Sequence, residues 1–401
     1  MRRWFHARYL PILIGGFMLV MPWIYLGWNT TVGELIPSVR FRTKQTIAGL
    51  VADSGDDFSW SAVTSGRYQQ SLSRAVGILS PIFKPAIHWR NQAYYTLFGA
   101  APGPRIVVGY DKQLLEIVYL EEFCRRDRAN YLQQFDGWAA RIREVQDFFE
   151  ARGQAFVYIV TPSKVAMYPQ YIPSRFSCPA DAASRTGKLP AWSAAMEKHG
   201  VHFVNAAAMM APAEKKYGIS MFPRGGIHWN QLGAAVAAQA VIAAINEQGH
   251  GPKLPTFTFD LTVSYRPHGS DRDLLDIMNL PYPDTDYPVP ELTFHSAPPP
   301  DGCKTARITE VGGSFLALLN TALQTIACPP DIDYWFYWDQ TRLRVAGGNP
   351  KQVTLPVAPD IRRQSLLQAD IVVFEENEAA GPETPHGKAL MEETRLMHLG
   401  M

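Results

Sequence analysis

From about residue 105 onward the apolar positions fall into short continuous runs separated by longer stretches of helical periodicity. The runs are "RIVVG" (105–109), "AFVYIVTP" (155–162), "VHFVNAA" (201–207), "ARITEVGG" (306–313), "IDYWFYW" (332–338) and "ADIVVFEE" (369–376). They are rich in β-branched and aromatic residues and do not alternate with polar ones, which predicts strands buried on both faces. Between them lie helical patterns at 131–152 and 231–247. Strand and helix in alternation predict an α/β domain of three layers, a mostly parallel sheet with helices on each side. The Pro-rich stretch 281–302, "PYPDTDYPVPELTFHSAPPPDG", is expected to be a long surface loop inside this domain, because strands of the same kind continue after it.

Residues 30–104 carry helical stretches such as "SGRYQQSLSRAVGILSPIF" and no strand-like alternation, which predicts a helical stem closed by Pro102 and Pro104. Ahead of it stands "YLPILIGGFMLVMPWIYLGW" (9–28), about 20 residues without a charge, the length needed to cross the hydrocarbon core of a bilayer. Arg2, Arg3 and Arg8 precede this run, and Trp23, Tyr25 and Trp28 fall where an interfacial aromatic belt belongs. The run is longer than the apolar region of a cleaved signal peptide, and no small-residue cleavage site follows it. The expected plan is a cytoplasmic tail (1–8), a single-pass transmembrane anchor (9–29), a helical stem (30–104) and an exported domain (105–401).

Charge narrows the function. Of 401 residues, 38 are Lys or Arg and 37 are Asp or Glu, so the chain lacks the electropositive footprint of a nucleic-acid binder. No phosphate-cradling glycine loop, dinucleotide fingerprint or zinc spacing is present, and no cofactor or metal is expected. Four cysteines, at 124, 178, 303 and 328, allow three connectivities in an exported domain. Cys303 and Cys328 lie just ahead of two successive predicted strands and are expected to face each other, with Cys124 and Cys178 forming the second pair.

In an open α/β sheet the ligand site forms beyond the carboxyl ends of the strands. The segments there are "TPSK" (161–164), "GGSF" (312–315), "WDQ" (338–340) and "EENE" (375–378), and His228 stands in the loop before the helix that starts near Asn230. Ser314 begins an apolar helical run, where backbone N–H groups around Gly313 and Ser314 can stabilise an oxyanion; the plainer role for it is a helix N-cap. His228 is the candidate general base for Ser314, and Trp229 is placed to wall the site or stack on a sugar. Lys164 is a candidate contact for a substrate oxygen, or else a solvated loop lysine. The "EENE" carboxylates and Asn377 are expected to include groups that tie neighbouring loops through backbone N–H groups.

Taken in order, "HWRNQAYYTLFG", "RIVVGYDKQLLE", "VTPSKVAMYPQYIP", "GIHWNQLGA", "VGGSF" and "IVVFEENE" resemble the AlgJ/AlgX-like alginate O-acetyltransferase family over roughly residues 65–380. The resemblance implies a permuted SGNH-hydrolase-like domain with a Ser314–His228 pair. It implies movement of acetyl groups onto an exopolysaccharide in the bacterial periplasm, supplied by a membrane-bound O-acyltransferase in the inner membrane. One position departs from the pattern: two residues before His228 stands Gly226, where the family carries the catalytic Asp. Glu310, Asp339, Glu375 or a backbone carbonyl are the candidates to replace it. The expected activity is a Ser-His O-acetyltransferase; the alternatives are a non-catalytic polysaccharide-binding or assembly subunit that lost its acid, and an acetyl esterase.

Overall fold

The computed structural model describes residues 31–36, 47–48, 58–71, 83–124, 131–178, 183–299 and 302–400, with scattered positions between 9 and 28. The chain divides into two compact units: residues 1–104 with 275–284, and residues 105–274 with 285–401. In the first, the helix Phe83–Phe98 presents Asn91 to the Met278 carbonyl (2.8 Å) and His88 Nδ1 to the Asn279 carbonyl (2.7 Å). Among the described residues no helix is long and apolar enough to cross a membrane. Much of the expected anchor at 9–29 lies outside the described residues.

The second unit holds strands β1 (Ile106–Val108), β2 (Leu114–Glu116), β3 (Ala155–Thr161), β4 (Phe203–Asn205), β5 (Phe257–Ser264), β6 (Val289–Ser296), β7 (Arg307–Gly312), β8 (Asp331–Phe336), β9 (Thr341–Ala346), β10 (Asn349–Leu355) and β11 (Ile371–Asn377). Seven of them form one mixed sheet in the order β10-β9-β8-β7-β11-β3-β4. From β8 to β4 all neighbours are parallel, and β9 and β10 fold back antiparallel at one edge. Every residue of β3 is buried, as its unbroken apolar run requires. One face is covered by the helices Ala206–Tyr217, Gln231–Glu247 and Leu316–Leu323, the other by Tyr131–Glu150, Ala183–Lys198, Pro359–Gln368 and Pro385–His398.

Two expectations need correction. The run at 105–109 does not join the main sheet; β1 pairs only with β2, in a short antiparallel ladder. The stretch 281–302 is not all loop, because β6 occupies its middle and pairs along its whole length with β5. After its first two residues strand β6 alternates exposed and half-buried positions, and Pro290 within it and the prolines beside it hid that period.

The helix Gln231–Glu247 shows how the sequence sets the site. It is alanine-rich because it is packed between the sheet, the helices Ala206–Tyr217 and Leu316–Leu323 and strand β6, with Ala234, Ala235, Ala237 and Ala238 all buried. Gly233 has no room for a side chain: a Cβ there would sit 3.2 Å from Trp229 Cβ and 3.3 Å from Met210 Sδ. Asn230 caps the first turn through its side chain, which accepts from Gly233 N at 3.0 Å. This fixes the start of the helix, and with it the two residues before it.

Candidate active site

Strand β11, last in sequence, lies between β7 and β3, so the loops leaving these three carboxyl ends meet at one crevice. Ser314 follows β7 there. Gly312 lets β11 come close, since a Cβ on it would lie 2.7 Å from Glu375 Cβ and 2.8 Å from Leu316 Cδ1. Ser314 is not a side-chain N-cap: the following helix, Leu316–Leu323, has no side-chain cap bond. Its hydroxyl meets His228 instead, with Nε2 to Oγ at 2.7 Å.

His228 Nδ1 lies 2.5 Å from Asp273 Oδ2. With Nδ1–H donating to this carboxylate, Nε2 is left free to accept the Ser314 proton. Asp273 Oδ1 accepts from Ile227 N (2.9 Å) and Leu274 N (2.7 Å), so the same carboxylate orients the imidazole and holds the backbone beside it. The acid absent at position 226 is thus supplied by Asp273.

None of the expected replacements serves. Glu310 is buried against Asn320 (2.7 Å), Asp339 is exposed, and Glu375 is bound to Thr161 and Gly313. Gly226 has an ordinary backbone conformation but no space: a Cβ there would collide with the Ser270 carbonyl and stand 3.2 Å from Asp273 Oδ1. The turn that delivers Asp273 fills the place of a side chain at 226.

Three further candidates have other roles. Lys164 contacts no cleft atom; it is wholly buried, and its Nζ donates to the carbonyls of Leu114 (2.9 Å), Pro223 (2.7 Å), Arg224 (3.1 Å) and Gly226 (2.7 Å). Burial pushes its pKa down to about 7, while four carbonyl acceptors favour the ammonium, so Lys164 anchors the loop leading to His228. Trp229 is fully buried and donates from Nε1 to the Phe315 carbonyl (3.2 Å). It therefore braces the nucleophile's turn from below and offers no face to a sugar. Asn377 lines the cleft, but its amide donates to the Pro162 carbonyl (2.8 Å) and Thr161 Oγ1 (3.2 Å), and its Oδ1 accepts from Ala379 N (3.0 Å).

The Gly313 amide is also engaged, donating to Glu375 Oε2 at 2.6 Å. Beside Ser314 Oγ lie the Ser314 amide and the Tyr337 hydroxyl, the phenol close enough to feel both the Ser314 side chain and its backbone. Tyr337 (φ 44°) and Trp338 (φ 76°) both adopt left-handed backbone conformations, uncommon for aromatic residues and costly by ~1–3 kcal/mol each. This turn brings the Tyr337 ring over Gly313, where a Cβ would lie 3.0–3.2 Å from it. Burial raises the phenol pKa and keeps it protonated as a donor. These groups open onto a cleft of about 740 Å³. Among the described residues no cluster of His, Cys, Asp or Glu is placed to hold a metal ion.

Residues 119–299 match the family model described as SGNH hydrolase-like domain, acetyltransferase AlgX. Over this stretch the chain is similar to an AlgX-type SGNH hydrolase-like domain. The match includes His228 and Asp273 and ends before Ser314. Among curated proteins it is similar to the probable alginate O-acetylase AlgJ of Pseudomonas putida, 32% identical over 146 residues, covering 36% of this chain and 35% of that one. The probable alginate O-acetylase AlgJ of Pseudomonas syringae pv. tomato is 31% identical over 147 residues, covering 36% and 34%. The chain therefore spans about a third of the length of these relatives. Among solved structures, the O-acetyltransferase domain of Pseudomonas putida AlgJ is 20% identical with a TM-score of 0.42, covering 73% of this chain and 99% of that one. Bacillus cereus PatB1 with a sulfonyl adduct is 12% identical with a TM-score of 0.43, covering 68% and 94%.

The carboxylate block at the end of β11 ties the loops around the site. Glu375 accepts from Gly313 N, Glu376 from Thr384 N (2.8 Å) and Glu378 from Ser163 N (2.6 Å). The cysteines pair as Cys124–Cys178 and Cys303–Cys328, with Cα separations of 4.4 and 5.4 Å. Sequence reasoning missed Asp273 and Tyr337. Asp273 follows no strand of the main sheet, and the strand-end rule does not reach it. Tyr337 lay inside an apolar run whose last two residues turn out of the strand, and no glycine marks that turn.

Proposed function

We propose that this chain is a membrane-anchored O-acetyltransferase that modifies an exopolysaccharide through an acetyl-Ser314 intermediate. The observation that carries this reading is the unbroken chain Ser314 Oγ–His228–Asp273 at 2.7 and 2.5 Å. The likeness of residues 119–299 to the AlgX acetyltransferase model and the names of the AlgJ relatives support it.

Ser314 Oγ attacks the carbonyl carbon of an acetyl ester while His228 Nε2 takes its proton. The oxyanion is met by the Ser314 amide and the Tyr337 hydroxyl. His228 then protonates the departing alcohol, leaving acetyl on Ser314. A sugar hydroxyl enters, gives its proton to His228 and attacks the acetyl carbon; the proton returns to Ser314 as the sugar ester leaves. Asp273 stabilises the imidazolium in both halves. The non-catalytic alternative was motivated by a missing acid, and Asp273 removes that motive.

In this reading residues 9–29 anchor the chain in the bacterial inner membrane and the bulk lies in the periplasm. There a membrane-bound O-acyltransferase is its acetyl donor. Protease added to spheroplasts should digest most of the chain; full protection would overturn the location. The decisive chemical test is intact mass after exposure to an activated acetate ester. One acetyl group is expected on the wild-type protein and none on Ser314→Ala, and an unmodified wild type sinks the proposal. Addition of an oligosaccharide then separates transfer from hydrolysis, since an esterase releases only free acetate.

A further inference from the structure

We infer that Arg105 and Glu116 form the acceptor subsite of the Ser314 cleft and select an uncharged hexose polymer, an inference that rests on the acyl transfer proposed above. Both residues line the same cleft as Ser314 and His228. The short ladder of β1 and β2 holds them side by side: Ile106 pairs with Glu116, and Ile117 N donates to the Arg105 carbonyl at 2.8 Å. Among the described residues neither side chain has a hydrogen-bond partner. Arg105 is exposed and Glu116 half-buried.

A carboxylate partly withdrawn from water without hydrogen bonds is costly unless a ligand supplies them. Burial raises the Glu116 carboxyl pKa, and the fields of His228 and Arg105 oppose that rise. A guanidinium next to a carboxylate offers several donors and several acceptors with little net charge. That is the complement of a diol, whose hydroxyls both donate and accept. Tyr119, Phe336 and Tyr337 line the same space and can lie against the C–H face of a pyranose. A uronate carboxylate would meet Glu116 beside Arg105, and an amino-sugar ammonium would meet Arg105 beside Glu116, so for either ion a repelling group stands next to the attracting one. The wall beside Ser314 is therefore matched to sugar hydroxyls and to neither ion.

The test uses the full chain in detergent as the Ser314→Ala variant, which cannot turn over, with binding followed by calorimetry at about 0.15 M salt. The probes are cellopentaose, pentamannuronate and the pentamer of glucosamine. Cellopentaose is expected to bind about ten-fold or more tightly than either charged pentamer. Replacing Glu116 by Ala, or Arg105 by Ala, should weaken it by about ten-fold, and Glu116→Gln, which keeps an acceptor, by less. Tighter binding of pentamannuronate or the glucosamine pentamer, or cellopentaose binding indifferent to both residues, would overturn the inference. Selective cellopentaose binding by a protein whose Ser314 takes no acetyl would leave the subsite standing while removing the acetyltransferase.

Discussion

His228 Nδ1 and Asp273 Oδ2 lie 2.5 Å apart although 45 residues separate them in the chain. The Asp273 carboxylate also holds Ile227 N, so it fixes both the tautomer of the imidazole and the position of its loop. Asp273→Asn keeps the shape but would donate to Nδ1, turning Nε2 into the protonated nitrogen. Acylation of Ser314 by a small acetate ester should fall by ~10³–10⁴-fold in kcat. Stopped-flow kinetics with a chromogenic acetate measures this, and a loss below about ten-fold would show that Asp273 does not orient the base.

Restoring the acid to position 226 should fail. Gly226→Asp drives a side chain into the Ser270 carbonyl and sets a second carboxylate against Asp273. Overpacking of this kind costs ~1–3 kcal/mol. A lower melting temperature and lower activity are expected together. A more active variant would mean that the 268–273 turn yields more readily than its packing indicates.

Tyr337→Phe removes one donor next to Ser314 and keeps the ring over Gly313. If that hydroxyl meets the oxyanion, kcat for acylation should drop by ~10²–10³-fold with little change in KM for the ester. An unchanged kcat would leave the Ser314 amide as the oxyanion donor without the phenol.

Glu310 predicts a pH dependence of stability. Burial pushes its pKa up to about 8 from an ordinary 4.5, and among the described residues Oε1, like Asn320 Oδ1, has no hydrogen-bond partner. The folded protein keeps the proton where the unfolded chain has lost it, so stability falls as pH rises from about 4.5 to about 8, by up to ~1.4 kcal/mol per unit. Glu310→Gln mimics the protonated group and should flatten this slope, raising the melting temperature at pH values above about 8. Parallel melting curves of variant and wild type across that range would refute the assignment.

The strand runs at 155–162, 306–313 and 369–376 were legible because parallel strands at the centre of a sheet are apolar on both faces. So was the meeting of Ser314 and His228, through the rule that places sites at strand ends. The roles of Lys164 and Trp229 were not legible. A lysine after a strand and a tryptophan beside a histidine look like ligand contacts, and only coordinates show that one ends among backbone carbonyls and the other beneath Phe315. Asp273 escaped because its distance along the chain is set by how β5 and its neighbouring turns fold back, which no local period records.

The cage of carbonyls around Lys164 has a consequence for anyone who maps this protein by mutation. Position 164 joins Leu114, Pro223, Arg224 and Gly226, backbone from two segments far apart in the chain, through a single nitrogen. A saturation scan scored on acetylated product would rank it as intolerant as the nucleophile. That ranking would report scaffolding: Lys164 variants would be lost from the folded pool, whereas Ser314→Ala would remain abundant and inert. Scoring abundance beside activity would separate the keystone from the chemistry.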